Sequence, residues 1–301
     1  MVEVPENFSM NPEQLAQMQQ QQQPNPLMNY MRQPAIYLSL PSKGEFWAQT
    51  TLDMPINGEL PVLPMSTRDE IALNTPDALM NGQAVVDMIH SCIPNIRNAW
   101  ACPSVDLDAI LIAIRIASYG EQMNYSSSCP SCSNTDEYEI DLRQFLEMPV
   151  DISRYKEPFD YKGMQVYVQP SDYETINLQN LESFEQQRMI RVVDDTTLSQ
   201  EEKNQRFHEI FRLMTSYTVK NVSGTIHSIV TPDGHTVQDQ QHIEDFVTNS
   251  ERQFFDAVKK HTDHVQQGIP EKIVSTTCDE CKHEYQTPFT FDQANFFAYA
   301  S

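Results

Sequence analysis

Glycine and basic residues are both scarce in this chain of 301 residues, and each shortage excludes a class of site. Only 8 glycines are present, so the fold cannot rely on glycine-rich loops, and no phosphate-cradling glycine motif occurs. Lysine and arginine number 20 against 42 aspartates and glutamates, which gives a formal net charge of −22. Because nucleic-acid binding depends on neutralising phosphates, this balance argues against DNA or RNA as the main ligand. It argues equally against an anionic membrane surface, and it is compatible with a basic protein partner.

Long apolar runs and catalytic motifs are also missing. No stretch of about 18 uninterrupted apolar residues occurs, so no transmembrane helix is predicted. The start of the chain is acidic and has no apolar core, so a secretory signal is not expected. Neither His-Glu-x-x-His nor Gly-x-Ser-x-Gly is present. His261 and His264 lie three residues apart on a predicted helix, but a solvated helix face is the better interpretation. The sequence therefore predicts a non-enzymatic protein of a reducing cytoplasm, with cysteines that stay thiols or thiolates.

Composition divides the chain into four predicted segments. Residues 1–34 are rich in Gln, Pro and Met, include an unbroken glutamine tract at 19–23, and are predicted to be a disordered arm, with docking into a partner as the alternative. Residues 35–150 are predicted to form a helical segment, 151–267 a middle α+β segment, and 268–301 a C-terminal ribbon. The predicted fold class is α+β, with a helical core, short strands and a zinc-ribbon-like four-cysteine knuckle that joins distant segments.

Apolar periodicity and capping signals locate the main elements. Extended segments are predicted at 36–46, 60–65 and 164–168, and a hairpin turn at 232–234. Thr67 with Glu70 fits a capping box at the start of one helix. The most apolar helix candidate is 106–119, which Asp106 is expected to cap and Gly120 to follow. Its Arg115 is expected to reach solvent or pair with a carboxylate at the edge of the core, with a contact to another subunit as the alternative.

A second capping box, at 199–202, opens a long helix. Apolar residues recur along this helix at the spacing of one face, and such a stripe is expected to pack in the core. The stripe consists of Phe207, Ile210, Phe211, Met214 and Tyr217.

The strongest chemical signal is a pair of Cys-x-x-Cys turns. They contain Cys129 and Cys132, and Cys278 and Cys281. A gap of two residues lets both sulfurs of a turn point at one centre, and two such turns complete a tetrahedral shell of four thiolates. Extended segments flank each turn, which is typical of a zinc-ribbon knuckle. The pattern predicts one shared metal site.

The two turns are far apart in sequence, so the energetics of closure decide whether they share an ion. Closing a loop of this length costs roughly 4–5 kcal/mol. A structural zinc site supplies roughly 10–16 kcal/mol of apparent binding energy, so a shared zinc is favoured. Four sulfur ligands leave no position for water, which predicts a structural ion and not a catalytic one. An iron–sulfur cluster is the alternative cofactor, and two independent thiol turns or merely packed cysteines are the alternatives to a shared site. Cys92 and Cys102 are interpreted as buried small hydrophobic residues.

Three segments carry a family resemblance. They are LPSxG at 40–44 with LPMSTRDE at 63–70 and NTPDAL at 74–79, the helix 106–120 leading to CPxC at 129–132, and the end of the chain from CxxC at 278–281 to the NFF at 295–297. In this order and spacing they resemble the T4-type baseplate-hub family of contractile-tailed phages. The resemblance covers about 40–145 and 270–301 well, and the middle loosely.

The resemblance implies a structural subunit or assembly factor of the baseplate hub, made in the host cytoplasm and located in the virion tail baseplate if it stays in the particle. The implied partners are other phage baseplate and hub proteins. Candidate contact residues are Trp47, Phe296, Phe297 and Tyr299, with core burial as the alternative for each. A zinc-ribbon module for nucleic-acid or transcription-related handling and an unrecognised hydrolase are the competing classes, and the net charge weighs against the first.

Overall fold

The computed structural model describes residues 26–27, 30–75, 82–194, 199–289 and 296–297, with side chains for all of these except 190–194. Contacts within the chain divide it into Met1–Gln33 and one compact unit, Pro34–Ser301. In the first unit the Tyr30 amide donates to the Leu27 carbonyl oxygen in a turn. Most of the predicted arm at 1–34 lies outside the described residues, as does Tyr299. All elements named below belong to the compact unit.

Helices and short strands alternate along the compact unit, which confirms the α+β class. In its first half they are β1 (Ile36–Ser39), β2 (Glu59–Val62), α1 (Thr67–Leu73), α2 (Gln83–Cys92), α3 (Ser104–Tyr119), β3 (Gln122–Ser128), β4 (Thr135–Asp141) and α4 (Arg143–Leu146). In its second half they are β5 (Phe159–Tyr161), β6 (Met164–Val168), α5 (Tyr173–Asp194), α6 (Gln200–Gly224), β7 (Ile226–Val230), β8 (Thr236–Val237), α7 (Gln240–Asn249), α8 (Arg252–Gln266), β9 (Ile273–Thr277) and β10 (Glu284–Pro288).

Helix α3 is the centre of the main core, as its composition predicts. Eleven of its 16 residues are buried, because apolar side chains cover nearly its whole circumference. The β1–β2 pair, which is antiparallel with Leu38 opposite Leu60, and helix α2 pack in the same core. Val274 and Phe289, which flank the late cysteine turn, also join it. The main core therefore ties the end of the chain to its first half.

Three details of these helices differ from the sequence prediction. The capping box of α1 uses Ser66 and Asp69, one residue earlier than predicted. Asp106 does not cap α3, whose N-cap is Pro103; its carboxylate is buried in the first turn instead. Arg115 neither reaches solvent nor pairs with a carboxylate: it is 3% exposed, and among the described residues its Nε and Nη1 have no hydrogen-bond partner.

A second, smaller core lies on a four-stranded antiparallel sheet with the order β5-β6-β7-β8. Helices α7 and α8 cover it, and its buried residues include Val166, Ile229, Phe254 and Val258. The predicted hairpin turn is present between β7 and β8, where the Gly234 amide donates to the Thr231 carbonyl oxygen. Gly234 has φ +87°, a left-handed conformation that glycine adopts without strain.

Helices α5 and α6 pair as a long antiparallel hairpin. The predicted capping box at the start of α6 is confirmed, with Ser199 and Glu202 bonded reciprocally. Glu182 of α5 accepts hydrogen bonds from Thr218 and Asn221 of α6. The prediction that the α6 stripe packs in the core is wrong for two of its members: Ile210 is buried, but Phe207 is 41% and Phe211 57% exposed. Among the described residues, α6 packs on the second core through Val219 and Val222, near its C-terminal end, so the earlier turns that carry Phe207 and Phe211 lie beyond that core.

Candidate metal centre

The early cysteine turn connects β3 to β4, and its backbone geometry sets the position of its sulfurs. The Cys129 amide donates to the Asn134 carbonyl oxygen at 2.8 Å, and the Ser133 amide donates to the Cys129 carbonyl oxygen at 2.9 Å. Ser133 adopts a left-handed conformation, φ +61°, which reverses the chain after the second cysteine. The Ser131 amide points at the Cys129 sulfur, 3.4 Å away. This is the knuckle that the spacing of two residues predicts.

The late turn, between β9 and β10, repeats this geometry position by position. The Cys278 amide donates to the His283 carbonyl oxygen at 2.9 Å, and the Lys282 amide donates to the Cys278 carbonyl oxygen at 3.0 Å. Lys282 has φ +56°, matching the residue after the second cysteine of the early turn. Two hairpins that lie far apart in the sequence thus present their thiols in the same way.

The two turns meet, and their four sulfur atoms form one cluster. Cys129 Sγ lies 3.7 Å from Cys281 Sγ, Cys132 Sγ lies 3.5 Å from Cys278 Sγ, and all four lie within 4.8 Å of one another. A disulfide requires about 2.05 Å, and all four cysteines are free. Tetrahedral zinc with Zn–S bonds of about 2.3 Å places its sulfurs about 3.8 Å apart. The spacing of the four thiols therefore fits a single ion at their centre.

One cysteine of each pair is buried and the other is exposed. Cys129 and Cys278 are buried under the two hairpins, whereas Cys132 and Cys281 face outward. The cluster is thus at the surface of the protein on one side and closed by protein on the other. This arrangement suits an ion that holds two hairpins together.

The thiols differ in how readily they lose a proton. Burial raises the pKa of Cys129, but donation from the Cys132 and Ser131 amides outweighs it and lowers the pKa to about 7. The Asn134 amide lowers the pKa of Cys132, but contacts with the neighbouring thiols raise it to about 12. The first proton therefore leaves near neutral pH, and a later one is held by hydrogen bonds among the neighbouring thiols. A divalent cation at the centre would compete with that proton for the sulfurs.

Asp136 links the two hairpins beside the cluster, a role that the sequence analysis did not predict. Its carboxylate accepts hydrogen bonds from the Asn134 amide group at 2.6 Å and the Tyr138 hydroxyl at 3.2 Å, both on its own hairpin. From the other hairpin it accepts the Asp279 backbone amide at 3.2 Å, and the Cys278 sulfur lies 3.6 Å away. An aspartate four residues after a cysteine is not a recognisable motif in a sequence. Its bridging role follows from the way the two hairpins cross, which the sequence does not show.

Aromatic contacts join the same two hairpins to each other and to the main core. The Tyr285 hydroxyl donates to the Tyr138 hydroxyl at 3.5 Å, and the Tyr125 hydroxyl donates to the Pro288 carbonyl oxygen at 3.0 Å. Phe289 stacks on Phe145 with ring centroids 4.8 Å apart. The two hairpins are therefore packed together by direct protein contacts, and the thiol cluster lies at one end of that interface.

The remaining candidate residues lie elsewhere and form no second cluster. Trp47, Phe296 and Phe297 are buried, in agreement with the core alternative. Cys92 and Cys102 are buried in the main core, as expected. His261 Nε2 lies 3.0 Å from the Glu157 carbonyl oxygen. Among the described residues, no other set of three or more metal-binding side chains converges as the four cysteines do.

Comparisons with known proteins identify one family. The model of the family described as T4 bacteriophage base plate protein matches residues 48–298, a range that contains both cysteine turns. No curated protein matches the chain, and no solved structure does. In the part of the chain that the structure describes, none of the helices combines the length and apolarity that crossing a bilayer requires.

Proposed function

Because the chain belongs to the T4 bacteriophage base plate protein family, we propose that it acts in the hub of the tail baseplate, as a structural subunit or an assembly factor. Membership of this family supports a structural or assembly role in the phage baseplate. The assignment to the hub is supported by the ordered motifs at 40–79, 106–132 and 278–297. The protein would act through contacts with other baseplate and hub proteins, in the host cytoplasm during assembly or in the virion tail.

The four-thiol cluster gives this role its physical basis. In our proposal Cys129, Cys132, Cys278 and Cys281 hold one structural zinc ion, which would supply a cross-link between the two hairpins. The observation that carries this is the spacing of the four sulfurs, all within 4.8 Å of one another. A shell of four sulfurs has no open position for water or substrate, so the ion would have no catalytic part. The protein would present partners with a surface that the ion keeps rigid.

Deletion of the gene from the phage genome tests the assembly role. We expect lysates without complete tails by electron microscopy, restored by the gene supplied from a plasmid. Mass spectrometry of wild-type virions separates the two forms of the proposal, since a subunit is present in the particle and an assembly factor is absent. Normal tail numbers in the deletion strain would overturn both forms.

Metal analysis of protein purified without oxygen tests the site. We expect about one zinc per chain, and a loss of zinc in Cys132→Ser and Cys281→Ser. Ser131→Ala, in the same turn but without a thiol, is the matched control and should retain the metal. Detection of iron together with acid-labile sulfide would mean that the site holds an iron–sulfur cluster instead of zinc. Detection of neither metal would refute the metal site.

A further inference from the structure

Two sulfur contacts within the thiol cluster run between the hairpins, and each joins an exposed cysteine to a buried one. The sulfur of Cys132, which is exposed, lies 3.5 Å from that of buried Cys278. The sulfur of Cys281, which is also exposed, lies 3.7 Å from that of buried Cys129. Each contact therefore pairs a sulfur that a dissolved oxidant can reach with one that the protein shields.

The hairpins are held in this relative position by contacts that involve no sulfur. The Asp136 carboxylate accepts the Asp279 backbone amide of the other hairpin at 3.2 Å. Across the same interface, the Tyr125 hydroxyl donates to the Pro288 carbonyl oxygen at 3.0 Å. Because these contacts position the two turns, the paired sulfurs are neighbours whether or not an ion lies between them.

We propose that the thiol cluster is an oxidation site, at which hydrogen peroxide converts the two sulfur contacts into two disulfides between the hairpins. One disulfide joins Cys132 to Cys278, and the other joins Cys281 to Cys129. Each contact shortens by about 1.5 Å to become a bond. Rotation of the exposed cysteine side chains is sufficient for a movement of this size, so the hairpins need not separate.

The chemistry takes place in two steps at each contact. The sulfur of the exposed cysteine attacks one oxygen of hydrogen peroxide, the O–O bond breaks, water leaves with the thiol proton, and a sulfenic acid remains. The buried sulfur then attacks the sulfenic sulfur, the S–O bond breaks, the S–S bond forms, and a second water carries away the second thiol proton. Two thiols thus lose two electrons, and one peroxide is reduced to water. Where the sulfurs hold a divalent ion, the protons come from solvent, and the ion leaves because a disulfide is not a thiolate ligand.

Oxidation exchanges one kind of cross-link between the hairpins for another. The oxidised cluster keeps the two hairpins joined without a metal, by bonds that a chelator cannot remove. A reducing cytoplasm keeps thiols reduced, whereas a particle released from its host meets oxidising conditions. Only this setting rests on the proposed function. The oxidation itself depends on the positions of the four sulfurs.

Peptide mapping of the full-length protein tests the pairing. Protein purified without oxygen is treated with hydrogen peroxide, its remaining thiols are alkylated, and it is digested with trypsin without reductant. Each cysteine turn lies within one tryptic peptide, the early turn in 116–143 and the late turn in 273–282. We expect mass spectrometry to find these two peptides linked, and to find them separate after treatment with dithiothreitol. Cys92 and Cys102, both 0% exposed, should remain reduced and serve as internal controls.

Variants that keep two of the four thiols determine which sulfurs pair. Cys129→Ser with Cys281→Ser keeps one proposed pair. Cys132→Ser with Cys278→Ser keeps the other, and both variants should give linked peptides. Cys132→Ser with Cys281→Ser is the matched control: it keeps one thiol on each hairpin, but both are buried, so the linked peptide should form at least about tenfold more slowly. Circular dichroism checks that each variant is folded, and the wild-type map remains decisive if one is not.

Four results would overturn the inference. These are separate peptides that each contain a disulfide within one turn, sulfinic acids at the exposed cysteines without disulfides, resistance of all four thiols to peroxide, and oxidation of Cys92 and Cys102 at the same peroxide concentration as the cluster. Zinc analysis of the same samples keeps this inference apart from the metal proposal. Linked peptides from protein that never held a metal would support the oxidation site and refute the metal site, whereas zinc-loaded protein that resists peroxide would do the reverse.

Discussion

The indole Nε1 of Trp47 donates a hydrogen bond to Asp106 Oδ2 at 2.7 Å, and both residues are buried. The same carboxylate accepts the Ser42 amide at 2.8 Å and the Ser42 hydroxyl at 2.5 Å. One acidic side chain at the start of α3 thus holds the loop at 42–47, more than 50 residues earlier in the chain. The LPSxG motif at 40–44 therefore has a structural role: its serine supplies two of the three hydrogen-bond donors that attach the loop to Asp106 of α3.

Replacing Asp106 with alanine should destabilise the protein strongly. Loss of the carboxylate leaves buried donors on Ser42 and Trp47 without acceptors, which costs about 2–4 kcal/mol in unfolding free energy. Denaturant unfolding followed by circular dichroism measures this change. Asp53→Asn is the control, because its ion pair with Arg97 is more than half exposed on both sides and should be worth less than about 1 kcal/mol. A loss for Asp106→Ala no larger than that of the control would contradict this assignment.

The stability should also depend on the proton of Asp106. Burial raises the pKa of this carboxyl, against the lowering effect of the hydrogen bonds from Ser42 and Trp47. Because the folded state then binds the proton more tightly than the unfolded state, the contribution of Asp106 to stability is largest below the unfolded pKa of about 3.8. It falls as pH rises through the higher folded pKa. Unfolding curves measured across acidic pH should therefore show that the unfolding free energy of the wild type, relative to Asp106→Asn, falls as pH rises. A relative unfolding free energy that rises with pH would refute this prediction.

His90 should make the stability depend on pH in the opposite direction, so that its contribution is lost as pH falls. Burial lowers its pKa, although Asp87 opposes this, and its Nε2 accepts the Ala99 amide at 2.9 Å. Protonation removes that acceptor, so the folded state binds the proton less tightly than the unfolded state. The stability from this group is complete above about pH 6.5 and is lost as pH falls through the folded pKa. His90→Gln should flatten the difference between neutral and mildly acidic unfolding curves. His235→Gln, at an exposed position, should not.

Arg115 should be replaceable with a gain in stability. Burial lowers its pKa, two of its nitrogens have no hydrogen-bond partner among the described residues, and the rings of Tyr119 and Phe296 lie 5.3 and 5.5 Å from its guanidinium carbon. These rings compensate the desolvated charge only in part. We expect Arg115→Met to raise the unfolding free energy by about 1–3 kcal/mol. A clear destabilisation in denaturant titrations would show that the charge has a role beyond packing.

Metal affinity should fall as the solution becomes more acidic. Thiols must lose their protons to bind the ion, and the pKa is about 7 for Cys129 and about 12 for Cys132. Competition with a coloured chelator at about pH 6, 7 and 8 should therefore show more than one proton released per zinc bound. An affinity independent of pH over this range would indicate that the thiols are not the ligands.

Sequence patterns are sufficient to predict those elements that are determined by residues close together in the chain. The two cysteine turns, the capping box at Ser199 and the buried helix α3 depend on neighbouring residues, and all are present as predicted. The start of α1 is different, since STRDE offers two overlapping boxes. Ser91 donates to Asp69 at 2.8 Å, and this contact from α2 favours the box of Ser66. Only the tertiary structure supplies that choice.

The errors share a physical origin in long-range packing. Whether Phe207 and Phe211 are covered depends on how far α6 extends beyond the second sheet, and periodicity contains no information on this. The role of Asp136 depends on the crossing of two hairpins that lie far apart in sequence. Trp47 is an aromatic near the end of a segment, as an interface residue would be, and only the position of Asp106 shows that it is internal.

The distance of 146 residues between Cys132 and Cys278 has a consequence for synthesis on the ribosome. At about 5–20 residues per second, the early hairpin emerges roughly 7–30 seconds before the late one. During that interval it has only two of the four clustered thiols, and any chain that stops before residue 278 never acquires the other two. Completion of the thiol cluster thus marks polypeptides that have been translated through both hairpins.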